Sequence, residues 1–252
     1  MATGADQGAR LFAARVAEQR ARVFALDAAV RAEEPDAVHQ LRIACRRLRV
    51  ALRAYGPAAA EPVEGLRRLG RALAPARDCE VVGELLVGGA RELPAELGPE
   101  RVAVWLERRL AERAARARGE VVAALASDWY AALLAGLDGL PGAAEPVDTP
   151  KRLARKAARK ALVEPGMGEE ELHRARKAAK RARYLGEVAG KERFTARMKA
   201  RQELLGRYQD AVVARAALRE LAGQPGADRF ALGVLYGRQL AVAAEARARP
   251  AG

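Results

Sequence analysis

The sequence predicts an all-α protein, on three observations. Ala, Leu, Arg and Glu, all strong helix formers, dominate it. Aromatic residues make up only 4% and β-branched residues are sparse, which leaves little material for strands. Apolar residues recur at helical spacing almost throughout, interrupted only by clusters of Pro and Gly. With 252 residues, half of them apolar, the chain can build one large core or two smaller ones.

The elements follow in order. A first helix is predicted over 5–32, stopped by Glu33-Glu34-Pro35, since the residue before a proline disfavours helical geometry. A second starts at Asp36, read as its N-cap, and ends at Gly56-Pro57. A third covers 61–87, with an irregularity expected at Pro75, and a Gly- and Pro-rich loop runs from Gly88 to Pro99. The fourth helix is long, over 100–138, and Gly139 to Pro150 is the clearest linker. Four more helices are predicted over 150–164, 169–189, 191–222 and 227–248. One domain spanning 1–252 is therefore expected, made of a four-helix repeat over 1–140 and a second over 150–252.

Composition narrows the function. There are 45 Lys and Arg against 32 Asp and Glu, a formal charge of +13. Residues 1–148 hold 21 basic and 21 acidic side chains, and residues 149–252 hold 24 and 11, so the excess falls wholly in the second part. Such an imbalance points to a polyanionic partner: nucleic acid, an anionic membrane, or a polymer of phosphate. The longest apolar run, near Trp129 to Leu137, falls well short of the roughly 18 residues of a membrane span, and no membrane partner is expected. The N-terminal segment lacks the apolar core of a secretory leader, which predicts a cytoplasmic protein. Cys45 and Cys79 form no CxxC or zinc-type spacing and read as buried free thiols.

Two blocks of sequence repeat. Val38 to Leu52 (VHQLRIACRRLRVAL) aligns with Leu172 to Gly186 (LHRARKAAKRARYLG), matching His39 with His173, Arg42 with Arg176, Arg46 with Lys180, Arg47 with Arg181 and Arg49 with Arg183. One element later, Leu73 to Val82 aligns with Leu205 to Ala214, matching Asp78 with Asp210, and Arg67 falls opposite Lys199. The chain has two histidines, and both open the repeated block. Two blocks in the same order at nearly the same offset predict an internal duplication.

The first block makes an amphipathic helix. Relative to His39, Arg42, Arg46, Arg49 and Arg53 fall at about 300°, 340°, 280° and 320° around the axis. Leu41, Cys45, Leu48, Leu52 and Tyr55 take the other side. His173, Arg176, Lys180 and Arg183 repeat the sector, backed by Ala175, Ala178, Ala179 and Ala182, whose small side chains allow close packing. Solvated helix faces usually mix signs, because like charges one turn apart cost about 0.2–0.5 kcal/mol per pair. Residues 37–60 and 172–186 contain no Asp or Glu, so each stripe is either a solvated face that carries this cost uncompensated or a seat for an external anion, and the cost favours the anion. Arginine suits phosphate, since its planar fork holds two oxygens and its charge does not titrate away. The first stripe spans about 21 Å of helix axis, a length that favours an extended polymer over a single phosphoester. Such binding should weaken steeply with salt. A phosphate beside histidine favours the charged ring, so binding should strengthen below neutrality.

Other positions are weighed in the same way. Arg152, Lys156 and Arg159, with Arg155, lie away from the core face of their predicted helix, formed by Leu153, Ala154, Ala157, Ala158 and Ala161, and either extend the basic surface or are merely solvated. Arg67, Arg68 and Arg71 are candidates on the third helix, with Lys199 the counterpart of Arg67. Asp78 and Asp210 are read as structural partners of basic side chains. No metal or cofactor is expected: the histidines are followed by arginines rather than by further ligands. Glu169-Glu170-Glu171 opens a helix, where negative charge suits the dipole. Trp105, Trp129, Tyr130 and Tyr236 are read as core.

The His-x-x-Arg-x-x-x-Arg-Arg-x-Arg pattern at His39, its recurrence at His173 with Lys180, and the Arg-Asp or Gln-Asp step after each resemble the conserved histidine α-helical domain family, CHAD. The resemblance covers nearly the whole chain. It implies two four-helix bundles related by a pseudo-twofold axis, facing each other across a basic central cavity that binds inorganic polyphosphate. It also implies a role without catalysis, at polyphosphate granules in bacteria. His39, Arg42, Arg46, Arg49, His173, Arg176, Lys180 and Arg183 match the motif. Gln209 in place of Arg77, and Ala175 in place of Leu41, put the equivalence of the two half-sites in question. The Glu-x-Glu-x-Lys motif of the triphosphate-tunnel enzymes fused to some members is absent, so a stand-alone module is expected.

Two other function classes compete. A nucleic-acid binder would fit the charge, but no helix-turn-helix or zinc motif is present and few aromatics are available for stacking. A phosphotransfer enzyme or polyphosphatase would need carboxylate-held magnesium, a P-loop or a nucleophile, and the sequence displays none.

Overall fold

A computed structural model describes residues 4–140, 149–164 and 166–248, with side chains from 12 onward. The described residues form ten α-helices: α1 Gly4–Arg31, α2 Ala37–Leu52, α3 Ala60–Ala72, α4 Ala74–Arg91, α5 Pro99–Leu125, α6 Asp128–Asp138, α7 Pro150–Arg159, α8 Glu169–Val188, α9 Glu192–Ala222 and α10 Arg229–Ala248. The fold is all-α, with two groups of helices that each pack internally.

The two extra helices come from breaks inside predicted ones. The helix predicted over 61–87 divides at Leu73 into α3 and α4. Pro75 lies in the first turn of α4, where its missing N–H costs nothing, whereas mid-helix its ring would clash one turn back. The helix predicted over 100–138 divides before Ser127, an extended residue at φ −84°. Its hydroxyl donates to the Ala124 carbonyl at 2.6 Å and so closes α5 instead of capping α6. The loop predicted from Gly88 is helical to Arg91. Gly89 lies against Leu235, close enough for an added Cβ to meet its Cδ2 at 3.4 Å, so packing outweighs the glycine cost of about 1 kcal/mol. Most of the linker predicted over 139–150 lies outside the described residues.

Helix ends follow local chemistry. The Thr149 hydroxyl accepts the Arg152 N–H at 3.3 Å ahead of Pro150. Glu171 accepts the Gly168 N–H at 2.8 Å, half of a capping box at the start of α8. Asp228 accepts the Ala231 N–H at 3.0 Å at the start of α10. Asp36 departs from expectation. It occupies the N-cap position in the left-handed region, φ 61°, without a side-chain cap. Its carboxylate instead accepts from Gln40 Nε2 at 2.6 Å, while Gln40 Oε1 accepts from Arg22 on α1 at 3.0 Å.

The two compact units draw on both sequence halves. Unit 1 comprises Met1–Ala74, Gly119–Leu162 and Lys177–Ala200, and unit 2 comprises Pro75–Arg118, Val163–Arg176 and Arg201–Gly252. Helix length accounts for this: α9, with 31 residues, runs about 46 Å, so its ends belong to different cores. In unit 1, α1 packs along α2, α2 against α3 and α3 against α6, burying Leu41, Leu48, Leu66, Leu69, Tyr130 and Leu137. Ala182 packs with Ala157 and Met198, and Ala178 and Ala179 with Ala161, as the small-residue face of α8 predicts. In unit 2, Val82, Leu86, Leu106, Leu110, Leu218 and Leu235 form the main core. Tyr130 is core as expected, whereas Trp105, Trp129 and Tyr236 are half-buried. Cys45 and Cys79 are buried and free, and burial pushes the Cys45 thiol up to about 12. Among the described residues no single helix is long and apolar enough to cross a membrane, and α5 and α6 reach that apolarity only when taken together across their break.

Candidate functional site

On α2 the apolar face goes inward and the basic face is left outside. Leu41, Ala44, Cys45, Leu48 and Leu52 are buried, while His39, Arg42, Arg46 and Arg49 are each half-buried. Arg53 follows, exposed, in the 3-10 turn Arg53–Ala59. That turn needs Gly56, which adopts φ 63° and ψ −138°, a conformation closed to other residues. The α2 side of the site thus has the geometry expected from the helical spacing.

The α8 stripe is divided. Lys180 and Arg183 belong to unit 1 with α2, while His173 and Arg176 belong to unit 2. Within unit 1 a Schellman turn ends α8: the Lys191 N–H donates to Gly186 O at 3.0 Å and the Gly190 N–H to Glu187 O at 3.2 Å, with Gly190 at φ 63°. Close packing of α9 on α8 requires Gly186, where a Cβ would meet Phe194 Cδ1 and Thr195 Oγ1, both at 2.7 Å.

Electrostatically, the centre of unit 1 is a cluster of guanidinium groups. Arg49 is held below the ordinary arginine range by burial, then by the charges of Arg53, Arg181 and Arg46. Arg181 is lowered too, by burial and then by Arg53. Among the described residues none of these four has an ion pair with an acid, and the Arg46 Nε is buried with no hydrogen-bond partner. A cluster of this kind raises the local positive potential.

Sequence reasoning missed Arg181. It lies about 80° around the axis from His173, outside the sector used to define the stripe. Its signal was the acid-free run 172–186 itself, which leaves every cation in it uncompensated. Its repeat counterpart Arg47 behaves differently: Nη2 lies 3.3 Å from Glu187 Oε2, and the guanidinium lies 5.6 Å from the Tyr184 ring centroid. Glu187 also accepts from Arg183 Nε at 3.0 Å, and Arg183 lies 5.0 Å from the same ring. Glu187 follows the acid-free run by one residue and partly neutralises its end.

The remaining candidates are dispersed. Arg67 is exposed and held by Glu64 through bonds of 2.6 and 2.8 Å. Arg71 reaches the same carboxylate at 3.5 Å, and Arg68 lies 4.3 Å from the Trp129 ring centroid. Arg152, Lys156 and Arg159 are exposed on α7, and Lys199 is exposed on α9. In unit 2, His173 Nδ1 donates to Gln209 Oε1 at 2.8 Å, and Arg176 Nη2 lies 3.4 Å from Asp210 Oδ1. The ion-pair role expected for Asp210 is therefore observed. Among the described residues, no group of three or more His, Cys, Asp or Glu is arranged to hold a metal ion.

Known proteins of similar sequence and fold give this arrangement its context. Two uncharacterized Mycobacterium tuberculosis proteins, MT2285 from strain CDC 1551 and Rv2226 from strain H37Rv, are each 34% identical over 92% of this chain. The chain spans about half, 50%, of the length of these relatives, so they lend no support to a stand-alone module. The crystal structure of the CHAD domain from the plant Ricinus communis superposes with a TM-score of 0.69 at 25% identity, covering 96% of this chain and 88% of that one. PptA from Streptomyces chartreusis shares the fold, with a TM-score of 0.74 at 20% identity over 94% of this chain and 95% of that one. The CHAD domain itself matches residues 14–219, a stretch that holds both histidine blocks and the whole arginine cluster, and the chain belongs to the CHAD family.

Proposed function

We propose that the chain binds inorganic polyphosphate along the cationic groups of α2 and of α8. CHAD domains are non-catalytic adaptor modules associated in general with polyphosphate handling, and the proposal assigns that association to particular side chains here. Arg46, Arg49, Arg53 and Arg181 form its centre. Its flanks are His39, Arg42, Lys180 and Arg183. His173 and Arg176 form a second group, and Arg152, Lys156, Arg159, Arg67 and Lys199 are outlying cations. The internal repeat makes the two histidine blocks sister half-sites of one duplicated domain.

One observation carries the reading: four half-buried or exposed guanidiniums gathered without an acid, two of them destabilised as cations by burial and then by neighbouring arginines, Arg53 in both cases. A ligand that supplies the counter-charge would relieve this repulsion. A polymer with a charge on every phosphate does so without base-specific contacts, and it matches the length of the α2 stripe. Cytoplasmic polyphosphate granules are the setting in which we place this binding.

Isothermal titration with polyphosphate of defined length, at two salt concentrations, tests the proposal. Tight binding that weakens steeply with salt is expected, and Arg42→Glu with Arg176→Glu should abolish it while helical content is kept. Unchanged affinity in that variant refutes the site. Failure of long polyphosphate to displace DNA at physiological salt refutes the ligand in favour of nucleic acid.

A further inference from the structure

We propose that unit 1 carries a second ligand site, suited to a nucleoside triphosphate, in the cleft between α7 and the α8–α9 turn. The cleft has a volume of about 590 Å³, within the roughly 300–1,000 Å³ of small-molecule sites. Lys151 and Arg155 line it from α7, Lys191 and Arg193 from the turn and the start of α9, and Arg197 from one turn further on. Among the described residues none of these five cations has an acidic partner. The first turn of α9 adds backbone N–H groups that have no intrahelical acceptor.

Two features distinguish this wall from a seat for bare phosphate. Its floor is apolar: Ala154, Ala189 and the half-buried ring of Phe194 line the cleft, and the Arg197 guanidinium lies 5.9 Å from the ring centroid. A flat aromatic base can stack there, as bases do on exposed aromatic rings. Glu192 is the single carboxylate in the wall. It would repel an inorganic phosphate chain, but it can accept hydrogen bonds from ribose hydroxyls or an exocyclic amine. Five cations less one carboxylate also match the charge of a nucleoside triphosphate near neutral pH. The cleft shares no residue with the α2 cluster, so this site stands apart from the polyphosphate reading.

The test titrates the full chain with ATP and, separately, with inorganic tripolyphosphate. ATP should bind at least tenfold more tightly. Phe194 packs near Ala157, Ala182 and Met198, so Phe194→Leu, which keeps bulk but removes the ring, is the informative variant, with thermal unfolding as the check on folding. It should weaken ATP at least tenfold and leave tripolyphosphate within twofold. The exposed pair Arg155→Glu with Arg197→Glu should weaken ATP at least tenfold and tripolyphosphate far less, whereas Arg46→Ala with Arg49→Ala should weaken tripolyphosphate and leave ATP unaffected. Three results overturn the proposal: no ATP binding, tripolyphosphate as tight as ATP with Phe194→Leu neutral, or ATP affinity lost with the α2 variant.

Discussion

In unit 1, Arg46, Arg49 and Arg53 gather with Arg181 and no carboxylate. In unit 2, Arg215, Arg113 and Arg101 each hold one: Glu169 at 3.3 Å, Glu220 at 3.1 Å and Asp228 at 2.7 Å. The same residue type thus serves two purposes in one chain. Where an acid is supplied, arginine ties helices together. Where acids are withheld, it is a ligand contact in the proposed function. Charge counted along the sequence does not tell these apart. Residues 1–148 are electrically balanced, yet they hold three of the four clustered arginines, because their acids lie on other helices.

The sharpest way to break this comparison is to delete two arginines from each region. Arg46→Ala with Arg49→Ala should weaken polyphosphate by about 100-fold, at roughly 1.5 kcal/mol per charge-assisted contact. It should also flatten the dependence of affinity on salt by roughly 0.7 per lost contact, if polyphosphate behaves as a single strand does. Relief of repulsion should raise stability in urea by about 1 kcal/mol. Arg113→Ala with Arg215→Ala should change affinity less than fivefold and leave stability level or lower. Equal losses of affinity in the two variants would erase the distinction.

Glu187 marks the boundary between the two behaviours, since it pairs Arg47 and Arg183 inside unit 1. Glu187→Gln should cost about 1 kcal/mol of stability, because these part-exposed pairs are modest. It should also raise polyphosphate affinity about threefold by releasing two cations. Asp210→Asn applies the same logic in unit 2 and should raise affinity about twofold through Arg176. A fall in affinity in either titration would mean that the acid orients its arginine for the ligand instead of competing with it.

Much of this was legible in the sequence. Helical class and the α2 stripe follow from spacing alone, because one amphipathic helix sorts its own faces: Leu41, Cys45 and Leu48 are buried and His39, Arg42, Arg46 and Arg49 are not. The irregularity expected at Pro75 is the break at Leu73, whereas the break at Ser127 was harder, since a helix pattern continues through a residue that only changes direction. Arg181 was invisible to a helical wheel for a different reason. Its neighbours, Arg49 and Arg53, come from another element, and a wheel knows only its own. The division of α8 between two units has the same origin, because which core a turn joins depends on partners that periodicity does not name.

Arg67 gives the smallest expected effect and the cleanest control. The repeat pairs it with Lys199, and spacing alone put it among the candidate ligands. In the fold its guanidinium makes two bonds to Glu64 on its own helix, at 2.6 and 2.8 Å, and both side chains are more than half exposed. An anion could recruit it only by displacing that carboxylate, and water already screens its charge. Arg67→Ala should therefore shift polyphosphate affinity less than twofold at physiological salt, and Glu64→Ala should do no more. If Arg67→Ala instead matched a single substitution in the α2 cluster, a paired, exposed arginine would be as good a ligand as an unpaired one. Pairing would then have no bearing on which cations take part in the proposed binding.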